Sequence, residues 1–236
     1  MDNQQSQDPK QERAQFLQRW KMHLSKLRDA SKGRFKVDRY IDLIPEMLTD
    51  CYRFQVERRG HTFNEDTATA EHIRKAAEWL VGKSEKPGLF LFGKPGNGKT
   101  TLADAIKQLI DTLYYSNYSN ERKQVRKIPA SRLVDLARDE RNELLADLKG
   151  TELLFIDDVG TEATSVKVWG NEVSPMVELL YQRYDRQLFT VITSNLESED
   201  DIVNRYGDRI NDRFAEMFDY LPFDNQSYRH RLTPLK

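Results

Sequence analysis

The chain has 236 residues, of which 32% are charged and 38% apolar, with 37 basic against 38 acidic side chains and a net charge of −1. The single cysteine, Cys51, excludes an intramolecular disulfide framework and a multi-cysteine zinc site. No apolar stretch approaches the ~18 residues of a membrane-spanning helix. The opening MDNQQSQDPKQER has no apolar segment of the secretory kind, so a cytoplasmic protein with no membrane partner is expected. The near-neutral total conceals a basic arm. Between Lys10 and Arg39 ten cations face three acids, netting +7 and leaving −8 for the rest. Such an arm suits a polyanion or an acidic partner surface; a solvated helical face is the alternative.

In chain order, Leu17, Trp20, Leu24 and Leu27 recur at 3-4-3 spacing and predict a helix over residues 11–30, broken at Lys32-Gly33. A second helix is expected from Pro45, through Met47, Leu48, Cys51 and Phe54, to a stop at Gly60. A third carries Ala70, Ile73, Ala77 and Leu80. After Pro87 the pattern changes to short apolar runs at 89–92, 153–156, 188–192 and 220–223. Uniformly apolar short runs suit strands buried on both faces of a parallel sheet. Helical patterns at 99–113 and 175–187 lie between them, the latter with Ser174 as its expected N-cap. Strand–helix alternation predicts an α/β fold, a parallel sheet flanked by helices, with its ligand at the carboxyl ends of the strands. The expected division is a small helical N-terminal region, 1–62, that binds a partner, and a domain from 63 to 236.

The chemistry starts at Gly93-Lys94-Pro95-Gly96-Asn97-Gly98-Lys99-Thr100, which fits G-x-x-x-x-G-K-[ST] between an expected strand and an expected helix. Glycines let backbone N–H groups close around phosphate oxygens, and the helix N-terminus adds partial positive charge. Lys99 is expected at the β/γ-phosphates of ATP, the Thr100 hydroxyl at Mg²⁺, and the adjoining Thr101 among the nucleotide contacts. Asp157, 58 residues after Lys99, ends an apolar run, where burial demands a cation or donors. It is the expected Mg²⁺ carboxylate. Asp158 is the candidate to orient or deprotonate the attacking water. Asn195 closes the next run and can donate to a γ-phosphate oxygen while holding that water. Arg209 and Arg213 follow at i, i+4, and a guanidinium suits charge on a transferring phosphoryl group. Lys123, Arg126 and Lys127, and Lys167 beside Trp169, are candidate contacts to single-stranded DNA, with packing of Trp169 as the alternative.

Taken together, GKPGNGKT, LLFIDDVG with Thr161-Glu162, the 180–184 segment LYQRY, VITSNL, GDRINDRF and Ser227-Tyr228-Arg229 resemble the AAA+ ATPases, and within them the DnaC/IstB-like helicase loaders and transposition helpers. The resemblance covers residues 63–236. It implies an AAA+ P-loop fold with a reduced lid, Asn195 as sensor 1, Arg213 as an arginine finger acting on a neighbouring subunit's ATP, and Arg229 as a sensor-2-like arginine. It implies slow ATP hydrolysis, single-stranded DNA, an open ring or helical oligomer, and a replicative DNA helicase as partner. A transposase partner, or a nucleotide-gated adaptor that hardly hydrolyses, are the other readings. Many relatives carry Glu where this chain has Asp158, which bears on hydrolysis more than on binding.

Overall fold

The computed structural model describes residues 9–30, 33–115, 121–138, 143–168 and 170–228. The chain divides into two compact units, Met1–Gly33 and Arg34–Lys236. The first holds α1 (Pro9–Ala30). Leu17, Trp20 and Leu24 of its expected stripe are exposed, and so are Phe16 and Met22. Among the described residues no helix is long and apolar enough to cross a membrane.

The second unit is built on five parallel strands in the order β2-β3-β6-β1-β7: β1 (Gly88–Gly93), β2 (Arg126–Pro129), β3 (Leu153–Val159), β6 (Phe189–Ser194) and β7 (Phe218–Phe223). The helices are α2 (Ile44–Glu57), α3 (Thr67–Leu80), α4 (Lys99–Leu113), α5 (Ala130–Arg138), α6 (Glu143–Gly150), α7 (Pro175–Asp185), α8 (Glu199–Tyr206) and α9 (Asp208–Met217). A small antiparallel hairpin, β4 (Val166–Val168) with β5 (Asn171–Val173), stands outside the main sheet. Successive strand residues point to opposite faces, so Leu89 and Leu91 join one core with α2, α3 and α4, while Phe90 joins a second with α5 to α9. Two covered faces explain why the strands read as unbroken apolar runs.

The second unit begins at Arg34 and so takes in residues 34–62. Ile44, Leu48 and Tyr52 of α2 are buried in the same core as Leu102, Ile106 and Leu109 of α4. The segment before α2 is held as well. Arg34 is buried over the Trp79 ring at 4.3 Å and donates to the carbonyls of Trp79 and Ser84, the latter at 2.9 Å. Val37 N–H donates to Leu80 O at 2.9 Å. An amphipathic helix shows from sequence that it needs a partner, not which one.

The four expected strands and the 99–113 helix are present; β2, the hairpin and α5, α6 and α8 add to them. β2 carries one buried apolar residue, Ile128, so the apolar pattern does not mark it. The 175–187 helix ends two residues earlier, at Asp185, and Ser174 makes no side-chain cap bond. A fully buried side chain, Arg183, ties its end to the sheet. It donates to Thr190 Oγ1 at 2.9 Å, Leu148 O at 3.0 Å, Thr151 O at 2.7 Å and Phe189 O at 2.6 Å. Burial pushes its guanidinium down to about 9. Arg183→Ala would strand those acceptors and open a cavity, so a loss of about 3 kcal/mol is expected. Thermal unfolding should register it as a fall of roughly 6–12 °C in Tm.

Candidate functional site

The phosphate-type loop leaves β1 at Gly93 and enters α4 at Lys99. Gly93 has φ 126°, and a Cβ there would sit 2.3 Å from Phe223 O. Gly98 has φ 102°, and its Cβ would meet the Tyr52 hydroxyl at 2.6 Å. Neither position accepts a side chain. The loop is braced from the strand beside it. Asn97 Nδ2 donates to Phe223 O at 2.5 Å, Asn225 Nδ2 to Asn97 O at 3.2 Å, and Tyr228 N–H to Gly96 O at 2.8 Å. Tyr228 also bonds Thr69 Oγ1 at 2.8 Å and Asp66, the N-cap of α3, at 3.0 Å. Lys99 is buried and turns back into the loop, donating to Gly93 O at 2.6 Å, Lys94 O at 2.7 Å and Asn97 Oδ1 at 3.2 Å.

The two aspartates take different roles because β3 bulges between Ile156 and Val159. Within that stretch, Asp157 Oδ1 accepts from Thr193 Oγ1 at 2.6 Å and Thr100 Oγ1 at 3.1 Å. Its Oδ2 meets Lys127 Nζ at 3.1 Å. At the bulge, Asp158 has φ 57° and its N–H donates to Thr193 Oγ1 at 2.9 Å, which leaves the exposed carboxylate at the cavity. A bulge re-aims one side chain in this way beside many active sites. The turn after it is held by Glu162, nearly fully buried, which accepts from Gly160 N–H at 2.9 Å and from the hydroxyl of Tyr206 in α8. Burial, and then the Glu162 carboxylate, push the Tyr206 hydroxyl well above its usual range.

These groups converge on a cavity of about 590 Å³. Its lining includes Pro95 to Thr101, Asp158 and Asn195, together with Tyr52, the 61–66 segment and Tyr228. Gly93 and Lys94 act through their carbonyls on Lys99, and Asp157 through Thr100. The Thr100 hydroxyl and Asp157 carboxylate are hard oxygen donors at the foot of the loop, a set that fits Mg²⁺ sharing its shell with phosphates and water. Arg213 does not line the cavity. It stacks over Tyr181 at 4.3 Å and pairs with Asp185 at 3.4 Å, half-exposed. Arg229 and Trp169 lie outside the described residues, as does the side chain of Arg209.

Sequence reasoning missed Thr193, Lys127, Tyr228 and the 61–66 segment. A threonine inside an apolar run was the available signal for Thr193; the others become neighbours only through folding. Two candidate DNA cations are engaged within the chain: Lys123 pairs with Glu121 at 2.9 Å and Glu152 at 2.7 Å, and Lys127 with Asp104 and Asp157. Lys99→Ala removes the ammonium from the loop and leaves its N–H groups. A fluorescent ATP analogue titrated into both proteins should bind the variant at least tenfold more weakly, with the fold intact by circular dichroism; equal affinity would refute the assignment.

Comparison with known proteins agrees with this fold. Three solved structures share the fold: "DnaI" (TM-score 0.53, 23% identity, covering 71% of this chain and 88% of that one), the "DnaC helicase loader" (TM-score 0.53, 19% identity, 69% and 93%), and a putative primosome component from Streptococcus pyogenes serotype M3 (TM-score 0.54, 18% identity, 72% and 87%). A search of curated proteins gives no match. The profile of the ATPase family associated with various cellular activities matches residues 89–217, from the loop strand through α9 and over more than half of the chain, and this chain belongs to that AAA family.

Proposed function

We propose that the protein is an ATP-dependent helicase loader, which binds a replicative DNA helicase and single-stranded DNA and uses ATP binding and slow hydrolysis as its switch. The observation that carries this reading is the shared fold that spans 93% of the DnaC helicase loader structure. In this reading Lys99 exchanges the carbonyls of Gly93 and Lys94 for β/γ-phosphate oxygens, which form stronger charge-assisted bonds. The N–H groups from Gly96 to Thr101 hold the phosphate chain at the start of α4. Thr100 and Asp157 would hold Mg²⁺, which would supply charge that neutralises the phosphates. Asp158 directs the lytic water, and its short side chain keeps turnover slow. Asn195 donates to a γ-phosphate oxygen. Arg229 is the sensor-2-like arginine of this reading.

Arg213 lies off its own cavity, which supports action on a neighbour's nucleotide within an open ring or helical oligomer. A guanidinium placed there stabilises transition-state charge without contributing much to binding. The arm bearing α1 is the partner-binding part. It sets exposed Leu17, Trp20 and Leu24 among cations, a surface suited to an apolar groove with an acidic rim. The Lys167 hairpin supplies a DNA contact.

Arg213→Ala should bind ATP almost normally and lose ATP hydrolysis. Mixing it with Lys99→Ala protein should restore part of the activity, because one mixed interface keeps a good loop and a good arginine. No restoration at any ratio in a demonstrated oligomer would exclude action in trans. Trp20→Ala should weaken helicase binding by ~2 kcal/mol, roughly thirtyfold, as an interface hot spot does. Co-elution of the full chain with its host's replicative helicase tests the reading as a whole. Failure to co-elute with and without ATP would sink it, and recovery of a transposase would replace it.

A further inference from the structure

We infer that Lys127 is a positioning residue for the divalent cation, an ammonium set against the metal carboxylate that makes cation binding depend on triphosphate. This rests on the nucleotide-site reading above. Lys127 lies on the edge strand β2, opposite Phe155 of β3. Its Nζ is 3.1 Å from Asp157 Oδ2, 2.8 Å from Asp104 Oδ1 and 4.7 Å from the centre of the Phe155 ring. Asp104 stands one helical turn beyond Thr100 on α4 and also receives Arg59 Nη2 at 3.0 Å, while Arg59 Nη1 donates to Thr101 Oγ1 at 2.8 Å. Cation and acid therefore alternate from Arg59 to Asp104, Lys127 and Asp157.

Two effects of Lys127 separate. One is orientation: it holds Oδ2, so that Oδ1 faces Thr100. That effect is duplicated, because Thr100 and Thr193 both donate to Oδ1. The other is charge, and it is not duplicated. The four alternating groups sum to zero. Asp158 adds one negative charge and Lys99 one positive, so these six groups sum to zero, and Glu65 and Asp66 on the cavity wall add two negative charges. With its carboxylate neutralised by Lys127, the Asp157 position offers a divalent cation little local attraction, and the phosphates supply the rest. An ammonium a few ångströms from a divalent cation costs on the order of tenfold in affinity even where water screens the pair. With orientation secured by the two hydroxyls, the charge effect sets the sign for removing Lys127.

The test uses Mn²⁺ as probe, followed by the electron-spin resonance of the free ion and titrated into the full chain with a non-hydrolysable ATP analogue. Lys127→Met keeps most of the stem and removes the charge. It should bind Mn²⁺ about tenfold more tightly than wild type, and take up Mn²⁺ measurably without nucleotide, with the fold intact by circular dichroism. Lys127→Arg should match wild type. Asp104→Asn releases Lys127 wholly to Asp157 and should weaken Mn²⁺ binding severalfold. A merely structural role would not move the two variants in opposite directions. Unchanged or weaker binding by Lys127→Met overturns the inference. Should that variant not fold, unchanged or tighter binding by Asp104→Asn does so. If the wild-type complex with the analogue takes up no Mn²⁺, the nucleotide-site reading falls and the inference falls with it.

Discussion

A carboxylate at the end of a strand buried on both faces is costly unless donors surround it, and the shape of this site follows from how Asp157 is served. Thr100 comes from the first turn of α4, Thr193 from β6 and Lys127 from β2. All three are available because β3 lies between β2 and β6, with the loop strand β1 on the far side of β6. Had β3 been an edge strand, one of its two strand neighbours would be missing. Thr193 does more than serve Asp157. Its hydroxyl accepts the Asp158 N–H, so one side chain both fixes the Asp157 carboxylate and stabilises the bulge that turns the next carboxylate outward.

The loop facing that carboxylate is held from two directions. Phe223, Asn225 and Tyr228 bind it from the end of β7, and the Tyr52 hydroxyl fills the space a Cβ would need at Gly98. A loop fixed in this way presents its N–H groups without a large reordering cost when phosphate arrives. Lys99 spans it meanwhile, satisfied by carbonyls that are weaker partners than phosphate oxygens. Tyr228 extends the bracing to the N-cap of α3, so loop, strand exit and helix start form one hydrogen-bonded unit.

The same sharing of partners draws the N-terminal part of the domain into the site. α2 buries Ile44 and Leu48 against α4, and that contact carries Tyr52 to Gly98 and Arg59 to Thr101 and Asp104. Residues 34–62 thus belong to the nucleotide domain for a physical reason: they complete one face of its core and one wall of its cavity.

Features that depend on neighbours along the chain were legible before any folding. The glycine loop, its flanking strand and helix, Asp157 with Asp158, and Asn195 are each encoded within a few residues, because phosphate binding uses local backbone N–H groups and strand-end side chains. Strands covered on both faces announce themselves as unbroken apolar runs, and four of the five parallel strands carry that mark. The fifth, β2, carries one buried apolar residue and has no such signature. Contacts between distant segments were not legible. Lys127 reads as one cation in a basic cluster, Tyr228 as part of a tail motif, and α2 as an amphipathic helix with an unknown partner. Their roles were decided by strand order, by the bulge in β3 and by the packing of α2 on α4, since periodicity records that a face is buried and only tertiary structure selects what buries it.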